Sequence, residues 1–225
     1  MDILNLEWPS SDRDLHIVTP ILLFLRGRYT METKSIFNGY FYILLYRPKL
    51  LLISNFLGSE LNHDITKLAY RMGIKVVSLI SEGNVKIEDY DQYLWGHNVD
   101  KKLYVNRLLL WSDRSLNIFL SKYPYLSNRL ISTGASGFDR YKLLKFQEKK
   151  IFLSKNNLRY KKIIGIGAWG FDYFFGKYYD NFAQNFIDNF GQDQFDMHRD
   201  DLGHLQKIYR EIIKNNTDIL FVLRY

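Results

Sequence analysis

Short apolar runs alternate with amphipathic stretches through the middle of the chain. "KLLLISN" and "IKVVSLI" are continuous apolar runs too short for ordinary helices, and they read as buried strands. Between them, "SELNHDITKLAYRMG" places Leu61, Ile65, Leu68 and Ala69 on one side of a helix. Ser59 suits its N-cap, Glu60 suits its positive end, and Gly73 suits its termination. Strand, helix and strand in this order predict a crossover unit of a parallel sheet. The pattern recurs in "RLLLWSDRSLNIFLSKYPYLSNRLISTG". There Leu108 to Trp111 form a strand and Ser112 caps a helix whose Leu116, Phe119 and Leu120 share a face. Pro124 forces an exit before a strand from Arg129 to Ser132. Two such units make an α/β, Rossmann-like parallel sheet the expected fold, with chemistry gathered beyond the strand carboxyl ends.

Upstream, "DLHIVTPILLF" reads as a short strand-like run that Pro20 interrupts, so the first compact unit is expected to begin near residue 14. "SIFNGYFYILLY", from Ser35 to Tyr46, reads as a buried helix ending near Pro48 despite Gly39. Downstream, the mixed charge of "FQEKKIFLSKNNLRYKK" marks a boundary, giving expected domains 1–148 and 149–225. In the second, "KIIGIGAWG" is a strand-to-loop passage, "DLGHLQKIYREIIKNN" a helix with Leu202, Leu205, Tyr209 and Ile212 at helical spacing, and "DILFVLRY" a final strand. A sheet with two obvious strands falls below the usual count, so this second Rossmann-like domain reads as incomplete. Phe182, Phe186 and Phe190 recur at four-residue intervals, which a helix face explains before a substrate groove does.

Composition narrows the function classes. With 225 residues and 47% apolar content, the chain can bury a sizeable core and is not globally disordered. The absence of cysteine excludes disulfides, thiolate nucleophiles and cysteine-ligated metals. His16, His63, His198 and His204 form no close-spaced ligand motif, so no dedicated zinc site is expected; no cofactor is expected either. A net charge of +7 favours anionic partners. No apolar run reaches the roughly 20 residues a spanning helix needs, which leaves peripheral membrane association open. "MDILNLEWPSSDRDL" lacks a secretory pattern, so the expected location is cytoplasmic, extending to the inner face of the cytoplasmic membrane.

The segment "LLLWSDRSLNIFLSKYPYLSNRLISTGASGFDRY" carries a resemblance. Through residue 148 the chain resembles the N-terminal half of GT-B-type glycosyltransferases of bacterial capsule and lipopolysaccharide synthesis, in particular the surface carbohydrate biosynthesis proteins. Thr133, Gly134 and Asp139 fit that family's TG-x-PR-x-D element, whereas Ser136 and Gly137 stand where it commonly has proline and arginine. Lys162 to Trp169 and "FVLRY" are also similar to the family, in which the strand leads on to an arginine and a histidine-proline pair. This chain ends at Arg224-Tyr225, before that pair.

The resemblance implies an acceptor-binding first domain and a nucleotide-sugar-binding second domain facing across a cleft. It implies transfer from a nucleotide-activated sugar to a glycan or lipid-linked acceptor. Without the rest of the donor domain the chain by itself is expected to be inactive, unless a homo-oligomer or a partner supplies the missing half. The alternative is a noncatalytic nucleotide- or carbohydrate-binding remnant. Nucleic acid is disfavoured, because the lysines and arginines are dispersed and no basic recognition helix is present.

Glycosyl transfer needs a carboxylate to take the acceptor proton and donors to stabilise the leaving phosphate. Glu82, just beyond "VVSLI", is the expected base, with loop solvation as the plainer role. Asp139 is the second catalytic candidate, with helix capping as its plainer role. His97 and Asn98 can hydrogen-bond a sugar and Trp95 can pack against its apolar face, unless the three form a polar turn beside a core tryptophan. Gly134 permits a tight turn. Trp169 and Asp172, beside "GIGAWG", and Arg224 complete the expected substrate contacts.

Overall fold

The computed structural model describes residues 1–9, 12–80, 86–167, 170–176 and 179–224, with the backbone alone at 12, 13, 140, 172, 181, 223 and 224. The chain divides into two compact units, Met1–Phe146 and Gln147–Tyr225.

The first unit opens with β1 (Ile3–Glu7), α1 (Asp12–Leu25) and β2 (Met31–Ser35). A 3-10 turn at Ile36–Asn38 leads to α2 (Gly39–Tyr46), then β3 (Leu50–Ile53), α3 (Glu60–Arg71) and β4 (Lys75–Leu79). The unit closes with α4 (Tyr90–Trp95), β5 (Arg107–Leu110), α5 (Asp113–Lys122), β6 (Leu130–Ser132) and α6 (Arg140–Leu143). The six strands are all parallel, in the order β2-β1-β3-β4-β5-β6. The expected Rossmann-like α/β class is therefore the class of this unit. Because β1 has β2 on one side and β3 on the other, the chain reverses its direction of travel across the sheet between β1 and β3. That is where open α/β sheets leave a crevice at their carboxyl ends.

Side-chain alternation along the strands sorts the core into two layers. Leu4, Leu6, Leu51, Ile53, Val76, Leu108 and Leu110 face the layer covered by Ile43 of α2, Ile65 and Ala69 of α3, Leu94 and Trp95 of α4, and Phe119 of α5. Ile3, Leu52 and Leu79 face the opposite layer, covered by Ile17 and Val18 of α1.

The first unit departs from expectation at three elements. "ILNLE" is a strand within the sheet, so the unit begins near residue 3 and not near residue 14; Asn5 and Glu7 disguised it because both are polar yet buried. "DLHIVTPILLF" is helical, with Pro20 inside the helix. A helix-interior proline costs about 3 kcal/mol. Burial of Ile17 and Val18, with Ile21, Leu22 and Leu25 packed beside them, outweighs that at roughly 1.5–3 kcal/mol per fully buried side chain. The helix from Ser35 to Tyr46 is also less buried than expected. Only Gly39 and Ile43 of α2 are fully buried, while Phe37, Phe41, Leu44 and Leu45 are each more than half exposed.

The second unit contains α7 (Lys149–Lys155), β7 (Lys162–Gly167), α8 (Phe171–Phe175), α9 (Tyr179–Phe190), α10 (Gln192–Lys214) and β8 (Ile219–Arg224). β7 and β8 pair in parallel from Lys162↔Ile219 to Gly167↔Arg224. The helices between them pack on aromatic rings, with Phe174 at 5.2 Å from both Phe182 and Phe195 and at 5.8 Å from Phe186. Phe182 and Phe186 of α9 pack in this cluster, as their spacing predicted, whereas Phe190 touches Phe186 and is 64% exposed.

Candidate functional site

A cavity of about 470 Å³ opens in the first unit beyond the carboxyl ends of β3 and β4. One wall is the loop after β3, comprising Asn55, Phe56, Leu57 and Gly58; Ile80 follows β4; Asp89, Gln92, Tyr93, Gly96 and His97 come from α4 and its flanks. Among the described residues this lining carries amides, a carboxylate, an imidazole and a phenol, and neither lysine nor arginine. Such a surface offers hydrogen-bonding groups and a ring to the hydroxyls and apolar face of a sugar, and no cation to a phosphate.

Both walls are fixed by networks behind them. Asn55 Oδ1 accepts the Leu57 N–H at 3.0 Å, bending the loop, and the Asn55 carbonyl accepts Asn62 Nδ2 of α3 at 2.6 Å. Asn62 Oδ1 in turn accepts Trp8 Nε1 at 2.8 Å and Ser59 Oγ at 2.7 Å. Ser59 is the N-cap of α3, accepting the Asn62 N–H at 3.2 Å. Replacing Ser59 by alanine is expected to cost about 1 kcal/mol, read as a lower urea midpoint with an unchanged slope. An unchanged midpoint would show that the cap carries no load. On the α4 side, Asp91 accepts the Tyr123 hydroxyl at 2.7 Å and Lys122 Nζ at 2.9 Å, tying α4 to α5. The Tyr123 hydrogen bond and then Lys122 hold the Asp91 carboxyl below its usual range.

Behind the loop lies a buried polar cluster at the β1/β3 switch point. Glu7, 2% exposed, ends β1. Its Oε1 accepts Asn5 Nδ2 at 2.7 Å and the Ser54 N–H at 3.1 Å, and its Oε2 accepts Ser54 Oγ at 2.5 Å. Asn5 Nδ2 also reaches the Leu52 carbonyl at 3.1 Å, joining β1 to β3. Burial pushes the Glu7 carboxyl up to about 7 against the pull of the Ser54 and Asn5 hydrogen bonds, and the charge of Asp14, itself buried on α1, adds to the rise.

The residues singled out from the sequence are distributed as follows. His97 lines the cavity. Trp95 is in the core, edge-on to Tyr123 with centroids 5.1 Å apart, and Asn98 is buried with its Nδ2 on the Lys102 carbonyl at 2.5 Å; neither lines the cavity. Both turn inward because Trp95 faces the sheet and Asn98 closes the turn after α4. Gly134 follows β6 with φ +86°, a conformation that favours glycine. Asp139 is exposed, and its carbonyl accepts the Lys142 and Leu143 N–H groups at 2.9 Å as α6 begins. Glu82 and Trp169 lie outside the described residues, as do the side chains of Asp172 and Arg224. Sequence reasoning missed Glu7, Asn5, Ser54 and Asn55. The available signal was a glutamate at the end of an apolar stretch, "ILNLE", followed directly by tryptophan and proline.

Among the described residues, no cluster of three or more histidine, aspartate or glutamate side chains is placed to hold a metal, and no helix is long and apolar enough to cross a membrane.

No protein-family model matches the chain, and no curated protein sequence does. Solved structures do. The S. aureus MnaA-UDP co-structure aligns with 99% of this chain at 13% identity and a TM-score of 0.59. A crystal structure of a proposed UDP-N-acetylglucosamine 2-epimerase from Listeria monocytogenes aligns with 100% of it at 9% identity and a TM-score of 0.61. The UDP-GlcNAc 2-epimerase from Neisseria meningitidis bound to UDP-GlcNAc aligns with 74% at 14% identity and a TM-score of 0.50. The chain spans 62%, 62% and 57% of those proteins, respectively. At such identities the likeness is one of fold: the chain has a GT-B-like α/β fold.

Proposed function

We propose that the chain acts in surface polysaccharide synthesis as a glycosyltransferase-like protein using a nucleotide-activated sugar. In this reading its first unit holds the hydroxyl-rich part of a glycan or lipid-linked acceptor. The observation that carries the proposal is the cavity, with its sugar-seeking and cation-free described lining at the carboxyl ends of β3 and β4. The fold shared with UDP- and UDP-GlcNAc-bound structures supports the nucleotide-sugar part. Glu82 remains the proposed base, two positions along the chain from the cavity-lining Ile80, and Asp139 the second proposed carboxylate. The +7 charge suits work at an anionic membrane face.

One observation favours the noncatalytic alternative. Ser136 Oγ donates to the Ile17 carbonyl at 2.8 Å, and a Cβ on Gly137 would stand 3.1 Å from Ile17 Cγ1. This loop, where the resembling family has proline and arginine, is packed against α1 and has little room for an arginine stem at residue 137. Binding without transfer even when a partner supplies the rest of the donor domain would favour that alternative.

Calorimetric titration with UDP-GlcNAc, UDP and an N-acetylglucosamine oligosaccharide tests the proposal. The N-acetylglucosamine oligosaccharide is expected to bind, and His97→Ala and Gln92→Ala each to weaken it about fivefold, the worth of one neutral hydrogen bond near 1 kcal/mol, while leaving any UDP-GlcNAc or UDP binding unchanged. If it does not bind, or if both variants bind it as the parent does, the cavity is not a sugar site.

A further inference from the structure

We infer that Glu7 and Trp8, consecutive at the carboxyl end of β1, are positioning residues for the cavity: they grip the loop at residues 54–58 from opposite faces of the sheet, and Glu7 does so in a proton-dependent manner. The inference deepens the carbohydrate-site reading and rests on it for its ligand.

Successive residues of a strand point to opposite faces. Glu7 turns toward α1 and takes Ser54, the root of the loop, through both its backbone N–H and its hydroxyl. Trp8 turns the other way, packs edge-on to Phe37 with centroids 4.9 Å apart, and donates Nε1 to Asn62 Oδ1. Asn62 passes that hold to the Asn55 carbonyl. The loop that walls the cavity is therefore fastened at Ser54 by one residue and at Asn55 by the next.

The two grips differ chemically. Trp8 does not titrate. Glu7 does, and its surroundings disfavour its charge: it is buried, and among the described residues Asp14 of α1 is the titratable group whose charge acts on it, while Asn5 of β1 and Ser54 after β3 are neutral. Opening the loop would expose Glu7 to water, where its ordinary value near 4.5 applies in place of about 7. The closed loop therefore holds the proton more tightly than the open one. By linkage, raising the pH from about 4.5 to about 7 progressively favours opening, up to a limit of the order of a hundredfold, and above that the effect is level. Glu7→Gln mimics the protonated form, its amide oxygen accepting from Asn5 and Ser54 and its amide nitrogen donating to the Ser54 hydroxyl.

Hydrogen exchange of residues 54–58 between pH 5.5 and 8.5, corrected for the intrinsic rate, reads the clamp without any ligand. In the wild type, protection is expected to fall by roughly ten- to thirtyfold as the pH rises from 5.5 to about 7, and to level off above that. Glu7→Gln should remove that fall. Asp14→Asn should make the fall level off at lower pH and reduce its size. Trp8→Phe should lower protection at every pH while leaving the dependence in place, a difference that a merely structural Glu7 would not produce. Wild-type protection that is flat across the range, or a dependence that survives in Glu7→Gln, overturns the inference; if Glu7→Gln proves unfolded, the wild-type profile and its displacement in Asp14→Asn decide. Affinity for the N-acetylglucosamine oligosaccharide should fall over the same pH interval in the wild type and stay level in Glu7→Gln. Absence of binding at all pH values would count against the carbohydrate reading alone, since the exchange profile judges the clamp separately.

Discussion

Replacing Gly39 by alanine is expected to destabilise the first unit by about 1–3 kcal/mol, the usual penalty for over-packing a filled core. Gly39 is the first residue of α2 and is fully buried. A Cβ there would stand 2.5 Å from Ile65 Cδ1 and 3.1 Å from Leu6 Cδ1. Both neighbours are completely buried in the same layer of core, so neither has free space to turn into. The opposing gain, alanine's better helix propensity, is at most about 1 kcal/mol in a helix interior and less in a first turn. The clash therefore wins. Thermal unfolding should show a midpoint lower by about 2–4 °C for each kcal/mol lost. The cause can be isolated, because Ile65→Val deletes the atom that the new methyl strikes. Ile65→Val alone should cost about 0.5–1.5 kcal/mol, and the double variant should lose clearly less than the two single losses combined. A midpoint unchanged in Gly39→Ala, or strict additivity in the double variant, would refute the close approach of α2 to α3 and β1.

That close approach also explains which parts of the fold the sequence displayed. β3, α3, β4, β5, α5 and β6 were legible because their burial is one-sided or complete and their apolar patterns are clean, with Ser59 and Ser112 capping α3 and α5 as expected. β1 was hidden by Asn5 and Glu7. A polar residue inside a sheet looks like a loop until its partners are known, and here the partners are Leu52 and Ser54, some fifty residues away in sequence. α1 was hidden by Pro20, whose local cost is overridden by packing that only the assembled sheet provides. In the site, His97 could be selected because it follows the glycine that ends α4. Asn55 and Gln92 carried no local mark, since their place in the lining depends on the pairing of β3 with β4 and on the docking of α4.

The buried carboxyl that concealed β1 should also leave a signature in the stability of the whole unit. Glu7 holds its proton up to about pH 7 when folded, against an ordinary value near 4.5. Between those values the folded state binds more protons than the unfolded chain, so stability falls as pH rises from about 4.5 to 7 and is level with respect to this group beyond. The cost of the ionised group at pH 8 is about 3 kcal/mol, a large share of a typical domain's stability. Glu7→Gln keeps the shape and the hydrogen-bonding partners without the charge. It should therefore be more stable than the wild type by about 3 kcal/mol at pH 8, and the two should converge near pH 4.5. The comparison must be between the proteins at each pH, because other carboxylates act in the opposite sense. Asp2, hydrogen-bonded to Lys49 and Thr30, and Asp91, held by Tyr123 and Lys122, both have lowered values and lose their stabilisation as the pH falls. That loss is common to wild type and variant and cancels in the difference. Urea unfolding at pH 4.5, 6, 7 and 8 measures it directly. A gain that is absent at pH 8 would mean that Glu7 is ionised at no cost, and one that does not shrink toward acid pH would mean that its charge is not the source; in either case the proton-dependent grip on the cavity loop would lose its energetic basis.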